Sequence, residues 1–201
     1  MSKRLLIVTL IFTFILFFNN EVKAVCDPGY TAKSVAFTYS NPTCQGTIYY
    51  CYKLDPMGVM RITIDRIEMT IPCALNITYN SQFWSAVDLC LLDDLFKALI
   101  YPPCPLQSTL AVITRVSCWK FVNDPSHQMI KLVKCETDGK CECIYKICTD
   151  LSLVVPKNII TPQGCTPIGV SDCPVGQPEM PPYLKTPFEE WETECRNLGC
   201  N

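Results

Sequence analysis

The chain has 201 residues, of which 17 are basic, 19 are acidic and one is a histidine, and 49% are hydrophobic. A slightly acidic balance without a basic cluster argues against nucleic acid as a partner, and a single histidine excludes a multi-histidine metal site. The apolar and aromatic content is too high for a disordered chain.

Residues 1–24 are predicted to be a cleaved signal peptide. Lys3 and Arg4 precede an apolar run over residues 5–18, and a short polar exit ends at Ala24. The run is shorter than the roughly 20 residues that span a bilayer, so cleavage is favoured over a retained anchor. Lipidation of the nearby Cys26 is a further, less favoured alternative. No integral membrane span is predicted after cleavage.

Cysteine dominates the composition of the exported part. All 15 cysteines follow the leader, and an exported chain this rich in cysteine is predicted to be a disulfide scaffold. The number is odd, so at least one cysteine is free, buried or joined to another chain. The sequence does not fix the pairing. The disulfide candidates are Cys26, Cys44, Cys51, Cys73, Cys90, Cys104, Cys118, Cys135, Cys141, Cys143, Cys148, Cys165, Cys173, Cys195 and Cys200.

The first part of the mature chain is predicted to form strands. Apolar and polar residues alternate over 34–40 and again from Met60 to Asp65, and the aromatic stretch Thr47–Leu54 is strand-prone. The segment Asp55-Pro56-Met57-Gly58 between the last two is typical of a type I turn.

One amphipathic helix is predicted over residues 81–101. Ser81 is a suitable N-cap, and apolar residues recur at three- and four-residue steps along one face. The segment Tyr101-Pro102-Pro103 ends it. Cys90 on the apolar face and Cys104 beyond the end are placed to link this helix to the sheet.

A second β-region is predicted as three antiparallel strands. They are Thr109–Val122, Met129–Glu136 and Cys141–Thr149. The dipeptide Asp138-Gly139 predicts a hairpin between the last two.

The last part of the chain changes in composition. Residues 156–187 contain eight prolines, which disfavour a regular helix or a central strand, and Cys165 and Cys173 predict an arm pinned by disulfides. The segment Thr186-Pro187-Phe188-Glu189 matches a capping box and predicts a C-terminal helix over 188–201.

The predicted fold is therefore a β-rich α+β fold, with disulfide-stapled antiparallel sheets, one central amphipathic helix and a short C-terminal helix. The predicted organisation is a signal peptide (1–24), a disulfide-rich β-rich domain (25–155) with two β subregions (25–80 and 105–155) around the helix (81–101), a Pro-rich pinned arm (156–187) and the C-terminal helix (188–201).

Few patterns in the sequence indicate a metal-binding or catalytic site. The cluster Cys135, Cys141, Cys143 and Cys148 has the wrong spacing for structural zinc, so disulfides are favoured over a metal site, and the chain contains no Cys-x-x-Cys motif. His127 lies in a predicted turn, without a nucleophile motif nearby. Neither a catalytic residue nor a metal or cofactor site is predicted.

Some side chains are candidates for binding or modification. Tyr49, Tyr50 and Trp119 are candidate binding aromatics, with core packing as the alternative. Asn76, in Asn76-Ile77-Thr78, is a candidate glycosylation acceptor.

The predicted function is a secreted, non-catalytic, cysteine-rich structural or binding protein of the adhesion or surface-interaction type. Its partner would be a protein or a cell surface, with a covalent link through one unpaired cysteine as an option. The predicted location is extracellular or cell-surface, or periplasmic in a bacterial host. One alternative is an extracellular hydrolase that uses carboxylate pairs such as Asp93-Asp94 or Glu189-Glu190. A second is a secreted inhibitor or toxin-like effector that presents a loop centred on Gly164 and Cys165.

Overall fold

Strand-forming patterns dominate the fold, as the sequence predicts. The computed structural model describes residues 24–39, 44–97, 101–105 and 107–200. In these ranges it has two helices, α1 (Ile71–Asn76) and α2 (Ser81–Phe96), and ten strands. The strands are β1 (Thr31–Tyr39), β2 (Cys44–Leu54), β3 (Met60–Thr70), β4 (Thr109–Val116), β5 (Cys118–Asp124), β6 (Met129–Lys134), β7 (Lys140–Asp150), β8 (Lys157–Ile168), β9 (Trp191–Glu192) and β10 (Arg196–Asn197). The β-rich α+β class is confirmed.

Strand β3 is the branch point of the sheet. On one side it pairs along its length with β2, which pairs in turn with β1. On its other side, Met60–Thr63 pair in parallel with β4, whereas Arg66–Thr70 pair antiparallel with β6. One branch continues through β7 to β8, and the other through β5 to β9 and β10. Strands from both predicted β subregions therefore share one sheet, which contains one parallel pair.

The predicted hairpin at Asp138-Gly139 is wrong. In the described residues, β6 pairs with β3 and β5, while β7 pairs with β4 and β8, so the dipeptide connects two branches of the sheet. Gly139 serves close packing instead, because a β-carbon there would lie 2.5 Å from the Ser117 Oγ. Ser117 also divides the predicted strand Thr109–Val122 into β4 and β5, which enter different branches.

Helix α2 covers the sheet with its apolar face. Its N-cap is Asn80 rather than Ser81, because the Asn80 Oδ1 accepts hydrogen bonds from the Gln82 and Phe83 backbone N–H groups at 3.0 and 3.2 Å. The helix ends at Phe96, earlier than predicted; residues 98–100 lie outside the described ranges and Tyr101 is not helical. Its fully buried apolar residues are Phe83, Trp84, Val87, Leu91, Leu92 and Phe96.

A buried ion pair fixes α2 on the sheet. Asp88 of α2 is 1% exposed, and both of its carboxylate oxygens accept from the Arg115 Nη1 of β4, at 3.2 and 3.0 Å. The Tyr145 hydroxyl of β7 donates to the same carboxylate at 2.7 Å. Burial raises the pKa of Asp88, and Arg115 and Tyr145 offset part of the rise. Loss of one partner from such a pair costs about 3–5 kcal/mol, so it orients the helix strongly.

Seven disulfides connect the strands and the segments between them. The four cysteines of the predicted cluster each bond to a different partner, which confirms disulfides there rather than a metal site. The bridges are Cys26–Cys51, Cys44–Cys73, Cys104–Cys148, Cys118–Cys173, Cys135–Cys195, Cys141–Cys200 and Cys143–Cys165. Cys90 of α2 is unpaired and does not form the predicted link.

The first part of the predicted Pro-rich arm forms a strand. Residues 157–168 form β8, which pairs antiparallel with β7 at the edge of the sheet. An edge position tolerates Pro162 and Pro167, because a proline has no backbone N–H to donate and an edge strand has a partner on one side only. The remainder, after Cys173, is an irregular segment.

The predicted C-terminal helix is also wrong. Glu189 does accept from the Thr186 N–H at 2.8 Å, as in a capping box, but residues 188–200 are irregular apart from the two-residue strands β9 and β10, which both pair with β5. The buried Asn123 amide donates to the backbone carbonyls of Pro187 and Glu189, at 3.0 and 2.7 Å, and so takes acceptors that a helix needs. Tertiary hydrogen bonds and two disulfides outweigh the local helix signal.

The unpaired Cys90 gives a direct chemical test of the pairing. Its thiol is half-buried against β1, and burial, then Asp94 and Asp93, raise its pKa. Because only the thiolate reacts, we expect alkylation of the native protein to be at least about tenfold slower than that of the denatured, unreduced protein.

Mass spectrometry should then find one label per denatured chain, at Cys90, and none in the control Cys90→Ser. Two or more labels would contradict the seven bridges, and no label on the wild-type chain would show that Cys90 is bonded to something else.

Candidate functional site

The candidate site is a loop whose two ends are fixed at neighbouring points. We call residues 174–194 the braced loop. Cys173, before it, bonds to Cys118 at the start of β5, and Cys195, after it, bonds to Cys135 just beyond β6. The Cys135 N–H donates to the Cys118 carbonyl at 3.0 Å, so the two anchor residues are hydrogen-bonded neighbours.

Hydrogen bonds hold the first half of the braced loop against the body. The Gln177 side chain accepts from the Tyr79 N–H at 3.3 Å and donates to the Ile77 carbonyl at 3.4 Å. The Asn197 backbone accepts from Gly176 at 3.0 Å and donates to Pro174 at 2.8 Å. Backbone groups of this segment are therefore satisfied by the body of the protein.

The second half is held by two buried side chains. Asn123 donates to the carbonyls of Pro187 and Glu189, as described above, and the Trp191 Nε1 donates to the Thr186 carbonyl at 3.0 Å. The Trp191 side chain is itself buried. Between Gln177 and these anchors, Pro178 is buried and Met180 packs against the core, whereas residues 183–186 are exposed.

The exposed part of the braced loop, which we call its tip, presents three large apolar side chains to solvent. Tyr183, Leu184 and Phe188 are 80%, 83% and 88% exposed. The Lys185 N–H donates to the Pro182 carbonyl at 2.9 Å, which closes a turn with Tyr183 and Leu184 at its centre. Burial of each such side chain would gain about 1.5–3 kcal/mol, and exposed apolar groups gathered in one place are typical of interaction sites.

Leu184 has a backbone conformation that suits glycine better. Its φ is +64°, in the left-handed region, where a bulky residue costs roughly 1–2 kcal/mol. The third position of a turn with such a φ is usually Gly or Asn. The chain carries an exposed leucine there, although its side chain adds little to the packing of the fold. Such strain at an exposed position is typical of functional loops.

Two grooves flank the base of the braced loop. The larger is about 520 Å³, and the smaller about 250 Å³. The larger is lined by Val122, Asn123, Asp124, Ser126, Lys131, Glu190, Trp191 and Glu192. The smaller is lined by Pro178, Glu179, Pro182, Tyr183, Glu192, Thr193, Glu194 and Arg196. Both contain acidic side chains next to apolar ones.

Two carboxylates of the larger groove, Asp124 and Glu192, are engaged by basic side chains. Hydrogen bonds from Lys131, Ser126 and His127 hold the pKa of Asp124 below its ordinary value, so this carboxylate stays ionised. Glu192 is paired with Lys120 at 2.8 Å. A general acid needs a raised pKa.

His127 is not arranged as a triad base. The same ring nitrogen, Nδ1, lies 2.8 Å from the Asp124 carboxylate and 3.0 Å from the Ser126 hydroxyl. A serine triad places the nucleophile and the acid on opposite nitrogens.

Three of the four carboxylates named from the sequence have structural partners. Asp94 accepts from the Tyr50 hydroxyl and pairs with Lys33, both at 2.7 Å, and Asp93 pairs with Lys97. Glu189 binds the Thr186 N–H, whereas Glu190 lines the larger groove.

Two of the three aromatic candidates from the sequence are buried. Tyr50 and Trp119 are 0% and 1% exposed, so neither presents a binding surface. Tyr49 is partly exposed, and its ring lies 3.7 Å from the Arg66 guanidinium. Helix α2 covers the side of β2 that holds Tyr50, which the strand pattern alone did not reveal.

The presented loop predicted around Gly164 and Cys165 is misplaced. Both residues lie within β8, and Cys165 is bonded to Cys143. The signal that could have located the site is the run of prolines between Cys173 and Cys195, since it lies between two disulfide anchors.

Two further groups are accounted for by their surroundings. Asn76 is exposed at the end of α1, and its use as a glycan acceptor stays a prediction. Asp88, Cys143 and Cys165 lie close enough for a metal site, but the two cysteines are bonded to each other and Asp88 is paired with Arg115.

Among the described residues, no helix is long and apolar enough to cross a membrane.

The strain at Leu184 can be measured. Leu184→Gly should raise the free energy of unfolding by roughly 1 kcal/mol, because glycine accepts a positive φ, and this corresponds to about 2–4 °C in Tm for a protein of this size. Leu184→Ala is the matched control, since it removes the same exposed atoms but keeps the β-carbon. Equal unfolding midpoints for the two variants would contradict the strain.

Comparisons of the chain with protein-family models, with curated proteins and with solved structures found no match. The interpretation of the site therefore depends on its own geometry.

Proposed function

We propose that this protein is a secreted, non-catalytic binding protein that engages a protein partner, in solution or on a cell surface, through the tip of the braced loop. The observation that carries the proposal is the exposure of Tyr183, Leu184 and Phe188 on a segment fixed at both ends by disulfides. The seven disulfides themselves fit an extracellular protein.

Rigid presentation of the tip favours tight binding. A free loop loses conformational entropy when it binds, whereas a segment already held by Gln177, Asn123 and Trp191 has less to lose. Aromatic and large aliphatic side chains at the centre of an interface contribute most of its binding energy. Tyr183 and Phe188 have this character.

Charge around the tip indicates the kind of surface it meets. The braced loop carries four exposed acidic residues against one exposed lysine, Lys185. The acidic residues are Glu179, Glu190, Glu192 and Glu194, of which Glu192 pairs with Lys120 and Glu194 with Arg196, so that these two contribute less to the surface charge. An apolar pocket with a basic rim is the complementary partner surface, and its association rate would fall as salt increases.

The same features support an inhibitor or toxin-like effector as a narrower form of the proposal, because such a protein also acts by presenting a rigid loop. The carboxylate hydrolase is less well supported, since Asp93, Asp94 and Asp124 are engaged in ion pairs or hydrogen bonds.

Binding can be tested with two matched triple variants. Tyr183, Leu184 and Phe188 are changed together to alanine in one, and the exposed Leu151, Leu153 and Val154 of the β7–β8 connection in the other. Saturable binding to the cells or secreted proteins of the native setting is measured by surface plasmon resonance or flow cytometry. We expect the braced-loop variant to lose at least about 100-fold in affinity, because each central side chain contributes more than about 1 kcal/mol, while the control binds as wild type does.

A photo-crosslinking residue at position 184 should capture the same partner, in competition with wild-type protein but not with the braced-loop variant. Unchanged binding by the braced-loop variant, or a loss confined to the control, would overturn the proposal.

A further inference from the structure

A buried carboxylate lies at the bulge of β3. In the register of β2 with β3, Tyr49 is opposite Arg66 and Tyr50 is opposite Ile64, so Asp65 is the extra residue. A bulge of this kind turns a side chain away from the regular alternation of the strand. The Asp65 side chain is consequently enclosed, with the residue 7% exposed.

Three nitrogen groups converge on the Asp65 carboxylate. The Arg66 Nη1 lies 3.0 Å and the Val25 backbone nitrogen 3.1 Å from Oδ2, and the Lys134 Nζ lies 3.1 Å from Oδ1. Arg66 is shared with Glu68, at 2.9 Å. Arg66 and Lys134 belong to strands of the sheet. Val25 belongs to the N-terminal segment, so the chain must bring this donor to Asp65 from outside the sheet.

The Cys26–Cys51 disulfide holds the neighbouring Val25 close to Asp65. Cys51 lies on β2 opposite Thr63 of β3, two residues before Asp65. The Val25 side chain is exposed, so its burial does not fix the residue. The disulfide on one side and the backbone nitrogen on the other hold Val25 in position.

We propose that hydrolysis of the Ala24–Val25 peptide bond during export creates an α-ammonium group at Val25, and that this group forms a structural ion pair with Asp65. Water adds across the bond: the C–N bond breaks, Ala24 takes the water oxygen and becomes a carboxylate, and the Val25 nitrogen takes both water protons and becomes an ammonium. The catalyst is a leader-cleaving endopeptidase of the export pathway. The site is therefore a processing site whose product is part of the fold.

The change strengthens a contact that the uncleaved chain makes only weakly. A backbone amide donates one neutral hydrogen bond to Asp65, whereas an ammonium donates several and carries a full charge. Charge-assisted hydrogen bonds are about twice as strong as neutral ones. Ala24 is buried beside the same contact, so the peptidase must act before the N-terminal segment docks.

The processing site is tested first on the exported protein. The full chain is expressed with its own leader in a secreting host, and the product is sequenced from its N-terminus. We expect Val25 as the first residue. A product that starts at any other residue overturns the proposal.

The ion pair is tested with two chains that differ by one residue, one starting at Val25 and the other at Ala24. Asp65→Asn is introduced into both, and Asp27→Asn, at an exposed carboxylate near the N-terminus, is the control. We expect Asp65→Asn to lower the Tm by about 4 °C more in the Val25 chain than in the Ala24 chain, and Asp27→Asn to lower it equally in both. Equal losses from Asp65→Asn would overturn the ion pair.

Chemical labelling gives a second measurement that does not depend on folding of the Asp65 variants. Only the neutral amine reacts with an acylating reagent, and a carboxylate partner holds it protonated. We expect the α-amine of the native Val25 chain to react about tenfold more slowly at pH 7 than that of the Ala24 chain. Equal rates would contradict an amine paired with Asp65.

Discussion

Two disulfides that meet at neighbouring residues determine the course of the chain from the braced loop to β10. Cys118 and Cys135 are joined by a backbone hydrogen bond, and they receive Cys173 and Cys195. The segment between these two cysteines must leave the sheet and return to the same point. It can do so only as a loop, and the chain beyond it is directed back along β5 as β9 and β10. Each of the two disulfides also restricts the unfolded chain, which stabilises the fold by about 4 kcal/mol when the bonded cysteines are this far apart in sequence.

This constraint links the stability of the fold to its proposed function. Strain such as the positive φ of Leu184 persists only where the surroundings hold the backbone firmly. The anchors on both sides of the loop supply that support, and the Asp88–Arg115 pair attaches helix α2 to the sheet. A partner would meet a surface that is already ordered. At the opposite end of the chain, the Cys26–Cys51 disulfide brings Val25 to Asp65 by the same means, so disulfides position both termini of the described fold.

Local patterns predicted the strands and α2 well, because alternation and three- to four-residue periodicity reflect burial directly. They failed where distant contacts decide. The parallel pairing of β3 with β4 separates β6 from β7, which turns the Asp138-Gly139 hairpin signal into a connection between branches. The capping box at Thr186 has no helix because Asn123 takes the nearby carbonyls. The site was missed for a related reason, since exposure of Phe188 and burial of Tyr50 follow from which strands α2 and the disulfides cover.

Disulfide mapping of the loop anchors is the most direct test of the braced loop. The exported protein is digested without reduction, and the disulfide-linked peptides are identified by mass spectrometry. We expect one peptide that links Cys118 to Cys173 and another that links Cys135 to Cys195. A peptide that links Cys173 to Cys195 would close the loop on itself, detach it from the sheet, and contradict the braced presentation of Tyr183, Leu184 and Phe188.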